Sequence, residues 1–307
     1  MNYKKLFKTS NKRAAFLRKL RFVPDVPMLR MQYRIKLHRG LHLRKPQRFT
    51  EKLQWYKLNY RDPVMRGCVD KYAVREYVKS KGLEDTLVKL YGRFDSVNDI
   101  DWDALPNSFV IKTTHGGGGL SVAICRDKSK LDIEKMKRRF SFKGTEVEKN
   151  IGGREWAYYG LKKAIVVEEL LVNEEKPEAG INDYKILCYD GKPECVIVDV
   201  DRYIGHKRNF YDTNWNDLHV TSDCPAIDRP IEKPENLAEM LRIASVLSED
   251  FPFVRVDLYN VSGKIYFGEL TFYPWSGYVQ FNPDKYDFEF GKDFELRKYR
   301  PNETQDR

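Results

Sequence analysis

The sequence predicts an α+β chain. Three observations carry that expectation: helical patterns run to residue 82, short strands take over from residue 83, and a hairpin pattern fills 253–277 as FVRVDLYNVSGKIYFGELTFYPWSG. Val254–Tyr259 reads as one strand, Asn260–Gly263 as the turn and Lys264–Leu270 as the return strand, because turn residues are flanked by β-branched and aromatic ones. Alternation puts Arg255 and Asp257 on one face. On the return strand it groups Ile265 and Phe267 with Glu269 and Thr271. Pairing across the turn brings Asp257 beside Glu269. Two acids in apolar strands suit a hard cation such as Mg²⁺, with Arg255 placed for phosphate. The alternative is a salt bridge between Arg255 and one of the acids.

The remaining elements follow in order. Residues 1–46 hold short helical patterns broken by Pro24, Pro27, Gly40 and Pro46. TEKLQWYKLNY, Thr50 to Tyr60, predicts a helix with Thr50 as its cap. Val64 to Lys81 predicts another, ended by Gly82. Asp70, Lys71 and Arg75 share one of its surfaces, an arrangement that usually marks a solvated face. Strands are expected at Thr86–Tyr91, Ser108–Thr113, Leu120–Cys125 and Ala164–Leu171, with a basic helix over 127–143. Asp183–Tyr189 and Glu194–Asp201 form a hairpin around Asp190-Gly191, and strand character returns at Asn209–Tyr211. A helix runs from Pro234 to about Glu249, with Leu237, Met240, Leu241, Ala244 and Leu247 as its apolar stripe.

Composition narrows the class. The 307 residues are 41% hydrophobic, enough for one large domain or two to three small ones. No apolar run is long enough for a transmembrane helix. Five scattered cysteines (68, 125, 188, 195 and 224) fit reduced thiols in a cytoplasm better than a disulfide frame. Net charge is +10, and residues 1–48 hold 15 Lys or Arg against one acid, Asp25. That segment is a solvated helical arm or a surface for anionic lipid or acidic glycan. No nucleic-acid partner is expected, since no base-stacking module accompanies the charge.

Several residues point to phosphate. HGGGG between two strands is neither a Walker loop nor a dinucleotide fingerprint. Its bare backbone N–H groups are suited to cover phosphates, or the run is a mobile turn. Lys112 stands in an apolar strand just before it, where a lysine must snorkel or meet an anion. AIVVEELL ends in Glu168 and Glu169, placed for an adenine edge or simply a strand end.

The order is a lysine strand, a glycine flap, an E-E hinge, an Asp-x-Lys strand, a helix, then R-x-D and E-x-T. It resembles the ATP-grasp superfamily and, within it, the TupA-like family of bacterial surface-polysaccharide clusters. The stretches RFTEKLQWYKL, VDKYAVREYV, LPNSFVIKTTHGGGG, REWAYYGLKKAIVVEELL and DYKILCYDGKP carry the likeness together with the 253–277 hairpin, over about 46–290. The resemblance implies an ATP-grasp fold, with two α+β subdomains gripping a nucleotide after a helical N-terminal region. It implies a basic region over 1–82, an ATP-grasp domain over 83–290 divided at about 165/166, and a tail over 291–307.

The resemblance also assigns roles. Lys112 would contact the α/β-phosphates of ATP, and Gly116, Gly117, Gly118 and Gly119 would form the flap, with His115 at its base. Glu168, Glu169 and the backbone near Leu171 would frame adenine. Asp183 would suit ribose, while Lys185 or Arg202 would suit phosphate. Asp257 and Glu269, with Thr271 as a weaker third ligand, would hold Mg²⁺. Arg255 would offset charge on the transferring phosphoryl group. Ser276 and Gly277, with Lys71 and Arg75, would meet the acceptor. Many ATP-grasp ligases carry Glu-x-Asn where this chain has Glu269-x-Thr271, and often Asn where it has Thr114.

The implied activity is an ATP-dependent carboxylate–amine ligase acting through an acylphosphate. It would join an amino acid or other amine to a uronic acid of a surface polysaccharide, at a cytoplasmic location or the inner membrane face. The rivals are a glycosyltransferase, for which Asp99-Ile100-Asp101 and Asp101-Trp102-Asp103 give DxD spacing, a sugar kinase, and a non-catalytic nucleotide- or glycan-binding protein.

Overall fold

The computed structural model describes residues 17–115, 122–142, 146–149, 152–174 and 176–300. The first sixteen residues of the basic segment lie outside them. Two antiparallel sheets organise the rest. The first has the order β1-β4-β2-β3, from β1 (Leu90–Phe94), β2 (Phe109–Thr113), β3 (Val122–Cys125) and β4 (Ile165–Glu168). The second has the order β7-β6-β5-β8-β9, from β5 (Asp183–Tyr189), β6 (Lys192–Val200), β7 (Lys207–Tyr211), β8 (Val254–Val261) and β9 (Lys264–Thr271). The chain is α+β, with antiparallel sheets and separate helices.

Helices α1 (Asp25–Leu37), α2 (Phe49–Asn59), α3 (Val64–Cys68) and α4 (Val74–Ser80) precede the sheets. α5 (Ile133–Arg139) packs on the first sheet, where Phe109, Ile111, Ile165 and Val167 meet Ile133 and Met136. α6 (Leu237–Ser248) lies against the second sheet and α7 (Lys285–Lys292) against α2. α2 shares the larger core with the second sheet: Phe49 stacks edge-on to Phe253 at 5.2 Å. Burying such aromatic rings is worth about 1.5–3 kcal/mol each.

Local chemistry moved several element boundaries. α2 begins at Phe49, and Thr50 is no cap: it is buried, and its N–H and hydroxyl bond Asp287 of α7 at 3.0 and 2.9 Å. Glu51 closes the first turn instead, accepting from the N–H groups of Gln47 and Arg48. The helix expected over Val64–Lys81 is two helices. Asp70 Oδ1 accepts from the N–H groups of Tyr72 and Ala73, each at 2.9 Å, a side-chain competitor that restarts a helix. Lys71 N–H then bonds Thr114 O at 2.9 Å, tying the break to the first sheet. β1 starts at Leu90 rather than Thr86, because Thr86 closes a 3₁₀ turn onto Leu83 O. α5 is shorter than expected, capped by Asp132 accepting from Lys135 N–H at 2.8 Å. β4 ends at Glu168, short of Leu171.

The hairpin β8–β9 differs in two ways. Its turn is only Ser262-Gly263, with φ of 51° and 80°, the left-handed pair that matches strand twist. Asn260 stays in β8, where its side chain donates to Asn236 at 2.7 Å. A bulge also interrupts the pairing: Asp257 faces Glu269, but Leu258 faces Phe267, leaving Gly268 extra. The bulge reverses the alternation. Ile265 and Phe267 therefore point into the core with Leu270, while Glu269 and Thr271 point with Arg255 and Asp257, not with Ile265 and Phe267 as strict alternation expects.

A Cβ on Gly268 would lie 2.9 Å from the carbonyl oxygen of Asp257. Gly268→Ala is expected to cost about 1–3 kcal/mol, read as a lower denaturation midpoint. An unchanged midpoint would show that the bulge adapts freely.

Candidate active site

Register builds the site on one face of the second sheet. One cross-strand row runs Lys185–Asp257–Glu269, the next Leu187–Arg255–Thr271, and a third Arg208–Asp199–Asp183–Tyr259. Lys185, Asp183, Asp199, Asp257 and Arg255 are all buried. A buried charge persists only when paired, and here every one is.

Arg255 grips Asp257 through two bonds, Nε to Oδ1 at 2.6 Å and a terminal nitrogen to Oδ2 at 2.7 Å. That terminal nitrogen also reaches Glu269 Oε1 at 3.3 Å and Thr271 Oγ1 at 3.1 Å. Lys185 Nζ donates to Asp257 Oδ2 at 3.1 Å, pairs with Asp183 and lies 3.7 Å from Asp199. Arg202 approaches Asp183 Oδ2 at 3.2 Å. Burial pushes the Asp257 carboxyl up, opposed by Arg255 and Lys185. Burial disfavours the Arg255 charge, yet Asp257 outweighs it and holds the guanidinium more firmly protonated than usual. Burial would raise Glu269 as well, but Lys71, Arg255 and Lys185 bring it below the ordinary carboxylate range.

The first sheet carries a second charged group. Lys112 and Glu168 project from the face opposite its apolar core, and Lys112 Nζ donates to Glu168 Oε2 at 2.7 Å. Arg75 reaches the other Glu168 oxygen at 3.5 Å. Lys71 bridges the sheets, its backbone on Thr114 and its amine 4.0 Å from Glu269. His115 packs edge-on to Phe142 at 5.5 Å, and burial, with Lys163 and Lys71 nearby, lowers its pKa to about 4. The flap Gly116–Gly119 lies outside the described residues. Glu169 uses its N–H on Lys89 O at 2.9 Å. Glu169 and Leu171 lie past the end of β4.

Ser276 and Gly277 sit apart from that row, in a turn where Trp275, Ser276 and Gly277 are all left-handed (φ 51°, 54° and 65°). Such a turn is costly for the two non-glycine residues, and a buried lysine holds it. Lys57 Nζ lies 2.8 Å from Ser276 O, 3.0 Å from Ser276 Oγ, 2.8 Å from Gly153 O and 3.1 Å from Gln54 Oε1, four oxygens that share its three donors. Gln54 donates to the carbonyls of Ser276 and Gly277. Sequence reading missed Lys57 and Gln54, although they stand three apart on a helix with an apolar stripe. It also missed Asp199 and Arg208, a cross-strand pair whose signal was an acid in the apolar run CVIVDVD.

The donor set fits a hard cation. Oxygens of Asp257, Glu269 and Thr271 converge on one guanidinium nitrogen, and all three are ligands such ions accept. Asp199, His206 and Cys224 also approach one another. There both Asp199 oxygens already take the Arg208 guanidinium.

Residues 51–295 match the TupA-like ATP-grasp family, and the chain belongs to it. Among solved structures it is similar to D-alanine–D-alanine ligase from Helicobacter pylori (15% identity, 83% of this chain and 68% of that one, TM-score 0.44). It is similar to the same enzyme from Bacillus anthracis (21%, 66% and 56%, TM-score 0.41) and to L-amino acid ligase from Bacillus licheniformis (15%, 71% and 43%, TM-score 0.38). The chain thus spans little more than half the length of the Bacillus anthracis ligase. At such scores these likenesses carry no weight, and the class rests on the family match. No curated protein matches.

Burial away from any contacting carboxylate lowers Lys57 to about 7. An unfolded lysine titrates near 10.5, so the unfolded chain binds more protons between about pH 7 and 10.5 and stability rises with pH across that window. Lys57→Met is expected to remove that rise. It should also cost about 2–4 kcal/mol by leaving buried carbonyls unpaired. Denaturant titrations at both ends of the window check this.

Proposed function

We propose that the protein is an ATP-dependent carboxylate–amine ligase acting through an acylphosphate. The observation that carries this reading is the convergence of Asp257, Glu269 and Thr271 on Arg255, which Lys71 links through Glu269 and Thr114 to the end of the Lys112 strand. Asp257 and Glu269 would hold Mg²⁺, with Thr271 as a neutral third ligand. The ion, when bound, neutralises charge between the terminal phosphates. Lys112 and Lys185 exchange their carboxylates for phosphate oxygens of ATP. Asp183 Oδ1 is buried with no partner among the described residues, which suits acceptance of a ribose hydroxyl.

The chemistry needs no side-chain nucleophile. A carboxylate oxygen of the acceptor attacks the γ-phosphorus, the bond to the β,γ-bridging oxygen breaks, and ADP leaves with that electron pair. Arg255, released from Asp257, offsets the charge on the transferring group. An amine then attacks the acyl carbon, phosphate departs, and loss of a proton from nitrogen leaves an amide. The proposed acceptor is a uronic acid of a bacterial surface polysaccharide and the amine an amino acid, following the family's association. The DxD pairs that favoured a glycosyltransferase are turn caps: Asp101 Oδ1 accepts from Asp103 and Ala104 N–H, and Asp99 from Ser96 N–H.

Calorimetry with ATP and ADP, with and without Mg²⁺, tests the reading. Wild type is expected to bind in a Mg²⁺-dependent manner, and Asp257→Asn/Glu269→Gln to lose that dependence while still folding. Lys112→Ala should weaken ATP by about 10- to 100-fold. A folded wild type that binds no nucleotide would overturn the proposal, and ADP release with transfer to a hydroxyl would mark a kinase.

A further inference from the structure

The outward face of α1 takes no part in the candidate site. The helix buries Met28, Leu29, Gln32, Tyr33 and Leu37. It exposes Val26, Arg30, Met31 and Arg34, which fall on one side at helical spacing. Arg21 and Phe22 precede it, also exposed, and Phe22 keeps 79% of its surface in solvent. Eight large hydrophobic side chains are exposed among the described residues, and three of them, Phe22, Val26 and Met31, fall in this short stretch. They form a cluster rather than the scatter normal for a surface.

The charge around them is of one sign. The single acid of residues 1–48, Asp25, turns inward to Arg154 at 3.0 Å and Arg61 at 3.8 Å. Arg18 is paired with Glu148 at 2.9 Å. Lys19, Arg21, Arg30 and Arg34 have no acidic partner among the described residues. Guanidinium groups alternating with a phenyl ring and a thioether suit an interface whose outer layer is anionic and whose inner layer is apolar. A soluble polyanion would engage the arginines and gain little from Phe22 and Met31.

We propose that this face docks on an anionic lipid bilayer. Phe22 and Met31 enter the head-group boundary, and Arg21, Arg30 and Arg34 meet lipid phosphates. The inner side of α1 reaches the candidate site, since Gln32 accepts from Tyr278 Oη at 2.6 Å and donates to Gly152 O at 3.0 Å. Docking would hold the Ser276–Gly277 turn about one helix diameter, ~10 Å, from the membrane surface.

The test is co-sedimentation of the full chain with phosphatidylcholine vesicles, either neutral or containing about 30% phosphatidylglycerol. Binding is expected only to the anionic vesicles and should fall with added salt. Arg21→Gln/Arg30→Gln/Arg34→Gln should lower partitioning by about 100-fold, and Phe22→Ser/Met31→Ser by about 10-fold. Unchanged thermal midpoints confirm that these surface variants fold. Absence of binding to anionic vesicles, or equal binding to neutral ones, would overturn the proposal. Full binding by Phe22→Ser/Met31→Ser would also overturn it and mark a purely electrostatic surface for soluble acidic glycan. These outcomes do not depend on nucleotide binding.

Discussion

Arg255 holds together two carboxylates that would otherwise repel. Asp257 and Glu269 are direct cross-strand neighbours, an arrangement that costs stability when like charges face each other. The guanidinium touches both and adds the Thr271 hydroxyl. Removing it would leave Asp257 buried and short of charge, a loss of about 3–5 kcal/mol. The hairpin register matters because it sets this contact, and the register depends on one glycine. Without the bulge at Gly268, Glu269 and Thr271 would face the core with Phe267.

The cations of the candidate site are matched to acids on their own sheet. Lys112 has Glu168, Lys185 has Asp183 and Asp257, and Arg255 has Asp257 and Glu269. Such pairing keeps a strongly charged face stable while empty. It also sets terms for ligands under the proposed function. A polyphosphate arriving alone meets carboxylates beside each cation, and a divalent ion arriving alone meets Arg255. Together they let every charge exchange partner, so joint entry is favoured over separate entry.

Much of this was legible in the sequence, because strand alternation and turn chemistry are local rules. The Asp257–Glu269 pairing, the placement of Lys112 on a strand and the Asp183–Lys185 shared face all came from spacing. What stayed hidden depends on contacts distant in the chain. The break at Asp70 needs Thr114, 44 residues on, to hold Lys71. Thr50 looked like a cap because Asp287 is 237 residues away. Lys57 was passed over, since nothing nearby announces the strained turn at Trp275–Gly277 that it bonds. The bulge was hidden for another reason: a glycine in a strand permits one without requiring it.

The most direct test of the partner-exchange site is an electron paramagnetic resonance titration of Mn²⁺ with and without ADP. If Arg255 occupies the oxygens of Asp257 and Glu269 in the free protein, Mn²⁺ binds weakly alone and becomes protein-bound when ADP is added, and Asp257→Asn abolishes that signal. Tight Mn²⁺ binding without nucleotide, or a nucleotide-dependent signal that survives Asp257→Asn, would contradict it.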